Sequence, residues 1–573
     1  MNFARLSVAA LVAALALPAI GADANAGRTF FRAQCALCHS AEPNDNGGAQ
    51  GPSLHGVLGR KAATGTQFSY SPALKSSNLT WDGGTLERFL AAPTTVVPGS
   101  SMVIPVPQQA DRENVVAYFT AVRDGTLKAA AGPGGPPGGF RAPPPPATPP
   151  KGTADWKNDA PGRVHRVDLS KLPAPFETAS ANNFPRLVPK PEGAKLSLPA
   201  GFKVDVYLTG LTAPRTMKVA ANGDVLLAET NAGRIKVLRP SADGSTATAT
   251  VYAQGLMQPY GVAFYPSVAN PQWIYVAEMN RVVRYKYKTG DTTASAVPEV
   301  VVPQLSPVGG GHFTRDIAFS PDGKRMYVSV GSQSNVAEDI TKKSAAEVKD
   351  WEAQHGLGAA WGNEENRAAV RVFDVNGDTK GRTFATGIRN CVGMTVQPAT
   401  GALWCVTNER DMLGDDLVPD YATRVKEGAF YGWPWYYMGN HEDPRLKGHR
   451  PDLAGKATAP DVPFTSHSAA VNILFYAANN GRSAFPKEYA GEGIAVLHGS
   501  WNRAFRTGHK IVRLPMKNSV PTGEYIDFMT GFITESGDAW GRPVAITQLQ
   551  DGSLLLADDG ANQIYRISYS QGK

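Results

Sequence analysis

The sequence predicts a multidomain fold, a small all-α domain followed by an all-β six-bladed β-propeller. Three observations carry this expectation. Composition breaks sharply at "AAGPGGPPGGFRAPPPPATPPKG", Ala130 to Gly152, a stretch of Pro, Gly and Ala that cannot bury a core and suits a semi-rigid, extended tether. Ahead of the break, apolar residues recur at helical spacing; behind it, one turn-and-strand phrase recurs six times. Only 19% of the 573 residues are charged while Gly (59) and Pro (44) are abundant, which fits strands and turns better than helical bundles.

Taken in order, residues 1–26, "MNFARLSVAALVAALALPAIGADANA", place Arg5 before an uncharged apolar run and end in Ala-x-Ala sites. That is the order of a secretory signal, and it predicts export to a periplasm with no membrane span after cleavage. An uncleaved anchor is the alternative. Residues 27–128 read helical. Phe30, Phe31 and Cys35 share one spacing, and "GGTLERFLAAP" repeats Leu86, Phe89 and Leu90 before Pro93. "DRENVVAYFTAVRDG" opens at Asp111 as a cap and keeps Val115, Val116, Phe119 and Val122 together. The tether, 129–152, would reach up to roughly 70 Å at about 3.1 Å per residue. An extended connecting segment, 153–195, then leads to the propeller at 196–573.

The recurring phrase is a turn, a strand, then a small or acidic residue. It appears as "NGDVLLAE", "NPQWIYVAE", "PDGKRMYVSVG", "TGALWCVTNE", "GEGIAVLHGS" and "DGSLLLADD". A second strand follows several copies, as in "GRIKVLRP", "NRVVRYKY", "HKIVRLPM" and "NQIYRISY". Six such units suit a propeller, with a sandwich or two smaller β domains as the alternative. The spacing is uneven, and the excess reads as long loops around Ser334–Arg367 and Asp411–Ala470, where a rigid scaffold usually carries its site. The formal net charge of +7 is modest and no basic-aromatic stripe is present, so nucleic acid is not expected as a partner.

Chemistry enters at "CALCH". Two thiols three residues apart with a trailing histidine suit covalent haem c: Cys35 and Cys38 attach, and His39 ligates the iron. Met102 in "VPGSSM" is the expected second axial ligand, with His55 in "GPSLHGVLGR" as the rival. The order of these motifs resembles a class I cytochrome c across the whole first domain. The resemblance implies a helical fold, His/Met ligation and one-electron transfer.

The propeller offers three polar stretches at strand ends and in loops: "VGGGHFTRDIAF" with His312 and Arg315, "FATGIRNCVGM" with Arg389 and Asn390, and "CVTNERDMLGDDLVPDY" with Glu409, Arg410, Asp411, Asp415 and Asp416. The oxygen-rich third stretch suits a hard cation such as Ca²⁺. Singly, each also reads as an ordinary structural turn. Together with "GAFYGWPW", "HGSWNR" and "GRPVAITQLQDGSLLLADDG", they resemble the PQQ-dependent sugar dehydrogenases with a soluble six-bladed propeller, above all their sorbosone-dehydrogenase-type relatives, from about Leu196 to Tyr569.

That resemblance implies His312 as general base, Arg389 and Asn390 over the quinone, and Arg315 and Arg542 among the cationic partners of PQQ. It also implies Ca²⁺ at the "NERD" turn, held by backbone or side chain. It further implies a catalytic part for Arg389 and a PQQ-binding one for Arg503, which stands near the place of an expected lysine; Trp540 stands near that of a second arginine, so the sugar pocket departs from the pattern. His441, His467 and His498 are lesser candidates for a base. Cys405 reads as the cross-strand partner of Met394, a register that argues against a disulfide with Cys391 and predicts free thiols.

The expectation is a periplasmic quinohaemoprotein. It would oxidise a sugar or related alcohol or aldehyde at PQQ and pass electrons through haem c to an external acceptor, a cytochrome or respiratory-chain component. The rivals are an eight-bladed quinoprotein alcohol dehydrogenase, a nitrite reductase with a haem-bearing propeller, and an electron-transfer cytochrome carrying a non-catalytic binding propeller.

Overall fold

The computed structural model describes residues 22–126 except 32–34, 36–38, 40, 42–50, 66–69, 101 and 103–104, and residues 156–570 except 182, 308–309, 338 and 378–380. Most of the expected signal segment, the Pro/Gly-rich tether and Cys38 lie outside these residues. No helix among the described residues is long and apolar enough to cross a membrane.

The amino-terminal part is helical. Ala24–Phe30 opens after Asp23, whose carboxylate accepts from the Asn25 amide. Gly83–Ala91 opens in the same way at Asp82 and buries Leu86, Phe89 and Leu90 on one side. Gln109–Arg123 begins two residues before the expected cap, so Asp111 lies inside the first turn, where its charge still suits the positive helix end. Phe31 meets Tyr118 and Phe119 at centroid distances of 5.5 and 5.4 Å, fastening the first and last helices together.

The remainder is built on six antiparallel sheets, five of them four-stranded and one five-stranded, arranged as propeller blades, with two short two-stranded sheets beside them among the described residues. Each recurring sequence phrase is the second strand of a blade: Val225–Glu229, Trp273–Ala277, Arg325–Val330, Leu403–Thr407, Gly493–Leu497 and Leu554–Asp558. The ring closes in blade 6, where Phe202–Leu208 supplies the outer strand to three strands from the carboxyl end. Successive strands alternate direction. The loops into each inner strand and those between second and third strands therefore emerge on one face, hereafter the site face.

Three expectations need correction. The expected loop Asp411–Ala470 contains two strands of blade 4, Pro419–Arg424 and Val462–Ser466. "PDYATR" hid the first because its polar groups are paired internally: Asp461 accepts from the Arg424 amide and guanidinium. The connecting segment also holds a strand, Val164–Arg166, which adds a fifth member to blade 5 against Ile526–Glu524. The thiols of Cys391 and Cys405 are not free but form a disulfide. The expected register is present, with Met394 opposite Cys405, but Cys391 faces Thr407, two residues on and thus on the same side of the sheet. A bulge between Cys391 and Gly393 closes this diagonal to a Cα separation of 5.8 Å, within disulfide reach.

Candidate functional site

His312 sits in the loop that enters the inner strand of blade 3. Its Nδ1 faces the Ser332 carbonyl at 2.9 Å and the Ser332 hydroxyl at 3.0 Å. A carbonyl only accepts, so Nδ1 carries the proton and Nε2 keeps a lone pair. Nε2 has no hydrogen-bond partner among the described residues. Burial and the nearby Arg389 guanidinium hold the imidazole pKa well below its usual value, so the ring is neutral. Gly331 makes this placement possible: a Cβ there would lie 2.7 Å from His312 Cβ and 2.4 Å from Asn390 Oδ1. Asn390 is fixed in turn by the Thr314 hydroxyl, which donates to its Oδ1 at 3.0 Å.

A collar of arginines surrounds this group. Arg215, Arg315, Arg389 and Arg542 stand at or just before the inner strands of blades 1, 3, 4 and 6. Arg315 is 1% exposed and donates through Nη1 to the carbonyls of His312 and Thr314, both at 2.7 Å. Its Nε has no partner, and it forms no ion pair with a carboxylate of the described residues. Burial and Arg367 push its pKa well down. Arg367 is buried and knits the loop together, donating to the carbonyls of Gly310 at 2.8 Å and Gly331 at 3.0 Å. Its own pKa falls to about 10, mainly through burial.

Across the ring, Arg542 Nη2 donates to His498 Nδ1 at 3.0 Å, and His498 Nε2 donates to Asp559 at 2.9 Å. Both nitrogens of His498 are thus engaged, and burial and Arg542 lower its pKa to about 4. It is a strut, not a free base. Arg215 pairs with the other Asp559 oxygen at 2.5 Å, while the Nε of buried Arg542 is unpartnered.

The Glu409–Asp416 turn is held differently from the sequence expectation. Arg389 does not point free; it donates to the Glu409 carbonyl at 2.7 Å and to Asp411 at 3.1 Å. Arg410 is buried between Glu409 at 3.0 Å and Asp443 at 3.2 Å. Asp415 accepts from the amides of Ala181 and Ala504, and Asp416 pairs with Arg503 at 2.6 Å. Arg503 also donates to the Asp415 carbonyl at 2.6 Å, so it clamps this turn. The Asp411 carbonyl already accepts from Arg445 at 2.8 Å. The four carboxylates converge on no common point: Glu409 meets Arg410 through one oxygen while its buried Oε1 has no partner among the described residues, Asp411 meets Arg389, Asp415 accepts backbone amides, and the half-exposed Asp416 pairs with Arg503. As side-chain ligands they do not fit Ca²⁺.

Of the lesser candidates, His467 is tied through Nε2 to the Gly414 carbonyl at 3.0 Å and through Nδ1 to Asn502 at 3.1 Å. His441 Nδ1 lies 3.3 Å from the Met438 carbonyl. Trp540 is a buried strut whose indole donates to Gly531 at 2.9 Å. Arg215, Arg367 and Asn335, which accepts from Arg389 at 3.0 Å, escaped the sequence reading. A signal existed for the first: "APRT" precedes an inner strand as "GIRN" and "GRPV" do.

In the helical part, His39 Nδ1 donates to the Pro52 carbonyl at 2.9 Å, leaving Nε2 as the ligating lone pair. Burial lowers its pKa, so it is neutral. The ring lies so close to Gly51 that a Cβ there would sit 2.4 Å from His39 Cε1. Met102 and Cys35 border the same apolar cluster, whereas His55 is exposed. These residues fit a haem: a neutral, oriented histidine beside a thioether and a thiol in an apolar cleft.

Comparison with known proteins follows this division. A cytochrome c2 of Rhodoblastus acidophilus is 44% identical over 99 residues, 17% of this chain and 91% of that protein. Through its helical domain the chain belongs to the cytochrome c family. In the propeller, residues 196–425 match the TrAA12-like family. An uncharacterized protein of Borreliella burgdorferi is 26% identical over 391 residues, covering 66% of this chain and 91% of its own. Among solved structures, the holo PQQ domain of pyranose dehydrogenase from Coprinopsis cinerea superposes with a TM-score of 0.52 at 22% identity, covering 66% of this chain and 98% of that one. The calcium structure of a Trichoderma reesei family AA12 carbohydrate-active enzyme gives 0.52 at 18% identity, covering 71% and 99%. The second domain is therefore a six-bladed propeller with the fold of PQQ-dependent dehydrogenases.

Proposed function

We propose that the chain is a periplasmic quinohaemoprotein dehydrogenase that oxidises an aldose, a sorbosone-like aldehyde or a related alcohol at PQQ and delivers the electrons through haem c to an external acceptor. One observation carries the reading: a neutral histidine with an open Nε2 lies beside a buried guanidinium, Arg315, that meets no carboxylate among the described residues. Leaving such a charge uncompensated in a protein interior costs several kcal/mol, so the site is built for an anionic ligand. A tricarboxylate quinone matches that demand, with Arg315 and Arg542 as cationic partners and Asn390 offering its amide. Bound PQQ supplies a two-electron acceptor, and haem c a one-electron carrier.

The chain's own residues do the rest. His312 Nε2 accepts the proton of the substrate hydroxyl, and Ser332 keeps the tautomer that allows it. Arg389 and Asp411 hold the rim of the site in place. Cys35 and Cys38 would attach the haem, and His39 and Met102 would hold its iron. No step here runs through Ca²⁺.

The test is reconstitution. PQQ added to the apo protein should quench tryptophan fluorescence on binding, and a panel of aldoses, alcohols and aldehydes should then reduce a soluble dye. His312→Ala should abolish turnover and retain PQQ binding, while Arg315→Met should weaken binding. Equal PQQ affinity in Arg315→Met and the native protein, or turnover by His312→Ala, would sink the assignment.

A further inference from the structure

We propose that residues 156–190 form a strap that moors the helical domain over the site face of the propeller, so that electrons reach the haem within one chain. The electron-transfer role rests on the function proposed above; the mooring does not.

The chain approaches the propeller by an indirect route. The outer strand of blade 6 begins at Phe202, paired with Tyr569. That end of the strand is remote from the site face, where Asn562 and Asp559 lie. A domain joined directly there would emerge on the wrong side of the ring. The chain instead reaches the site face first. The Trp156 amide, just after the tether, donates to the Arg506 carbonyl at 3.0 Å, in the blade 5 loop that also carries Arg503.

The next contact locks this end. Lys510, 2% exposed at its side chain, lies 2.7 Å from Asp159 and 2.8 Å from Asp527, which His165 meets at 2.9 Å. Asp159, His165 and Asp527 lie close enough together to hold a metal. The ammonium already supplies the cation at that point, so the cluster is a fastening and not a metal site.

After pairing on blade 5, the chain returns to the site face and crosses it. The Phe176 amide donates to the Leu413 carbonyl at 2.8 Å, the Asp415 amide to Thr178 at 2.9 Å, and the Gly414 amide to Ser180 at 3.1 Å. Asn183 then donates to the carbonyls of Arg503 and Ala504 at 3.1 and 3.0 Å. Phe184 stacks on Trp501 at 4.9 Å, Arg186 pairs with Asp538, and the Val188 amide reaches the Ala539 carbonyl at 2.9 Å. The strap thus spans the rims of blades 4, 5 and 6, with the half-buried Phe184–Trp501 pair on the rim of blade 5. The sequence between the two domains joins the propeller at that rim, and a linker of some two dozen residues keeps its domain near the point of attachment at an effective concentration of the order of millimolar.

Cross-linking of the full-length protein with an amine-reactive reagent, read by mass spectrometry, tests the mooring without reference to activity. Exposed Lys61 and Lys75 of the helical domain should link to Lys190 on the strap. They should not link to Lys288, Lys324, Lys487 or Lys517, which lie on the opposite face. Links to those four, or none to Lys190, would overturn the proposal. In the PQQ-reconstituted protein, haem reduction by substrate should be first-order and independent of protein concentration. Phe184→Ala should slow it several-fold while dye reduction stays as in the native protein. A second-order rate, or no effect of the variant, refutes electron delivery across the strap. Absent dye reduction with the expected cross-links refutes the enzymatic reading alone.

Discussion

Gly331→Ala is the sharpest test of the site, because it adds one methyl group between two residues and nothing else. The backbone at Gly331 lies outside the left-handed region, so alanine brings no conformational strain. Its Cβ would lie 2.4 Å from Asn390 Oδ1 and 2.7 Å from His312 Cβ. Both contacts fall about 0.8 Å or more short of the ~3.5 Å at which such atoms pack comfortably. Neither neighbour is a flexible tip: Asn390 is held by Thr314, and His312 by Ser332. The methyl must therefore displace the base or the amide by most of an ångström. Overpacking of this kind costs about 1–3 kcal/mol in stability, and a misplacement near 1 Å costs about 10²-fold in rate. Steady-state dye reduction by the PQQ-loaded variant measures the second quantity, and a thermal melt the first. A kcat within twofold of the native value, with an unchanged melting temperature, would refute the placement of His312 and Asn390.

Four further outcomes follow from the geometry. Gly51→Ala pushes a methyl to 2.4 Å from His39 Cε1, so the visible spectrum should lose the signature of a six-coordinate haem. Replacing Cys391 and Cys405 by serine opens a loop of sequence separation 14, which chain entropy values at about 3 kcal/mol, read from the shift in denaturant midpoint. Lys510→Met leaves the buried carboxylates of Asp159 and Asp527 without their cation and should cost about 3–5 kcal/mol at neutral pH. The loss should shrink as pH falls toward 6, because burial already raises the Asp159 pKa to about 6 and removing the ammonium that holds it down lets the variant protonate at higher pH still, relieving the repulsion. For His312 the folded-state pKa is depressed, so its contribution to stability is present above about pH 6.5 and lost as pH falls below that value. In the protein without PQQ, the His312 ring followed by NMR should accordingly titrate below pH 6.5, and a titration near 7 would contradict a buried, neutral imidazole.

What the sequence disclosed and what it hid follow from how each element is stabilised. The six second strands were legible because each begins at a turn and buries a run of apolar side chains, as Val225–Glu229 does on both faces. Pro419–Arg424 is buried almost as completely, but Asp420 and Arg424 sit in it as polar residues satisfied by distant groups, which no local pattern reveals. The strap was illegible for the same reason: its partners, from Leu413 to Ala539, are more than two hundred residues away. His312 and Arg315 drew notice because they stand just before a predicted strand, whereas Arg542 entered only through the family resemblance. The disulfide was missed because the register was read correctly but the bulge beside Cys391 was not visible in it.

The electrostatics of the site bind these observations together. Arg315, Arg367 and Arg389 all face His312, and each favours the neutral imidazole. The same charges make the empty site hostile to a proton and attractive to an anion. Binding of a polycarboxylate would cancel part of that field and so raise the basicity of His312 Nε2. Under the proposed function, His312 would therefore be a stronger base with the cofactor bound than without it, which would couple proton abstraction to the presence of an electron acceptor. A collar in which every arginine had its own carboxylate could not do this. The pairing of Arg215 with Asp559 and of Arg389 with Asp411, against the unpaired state of Arg315, is what gives the site this dependence.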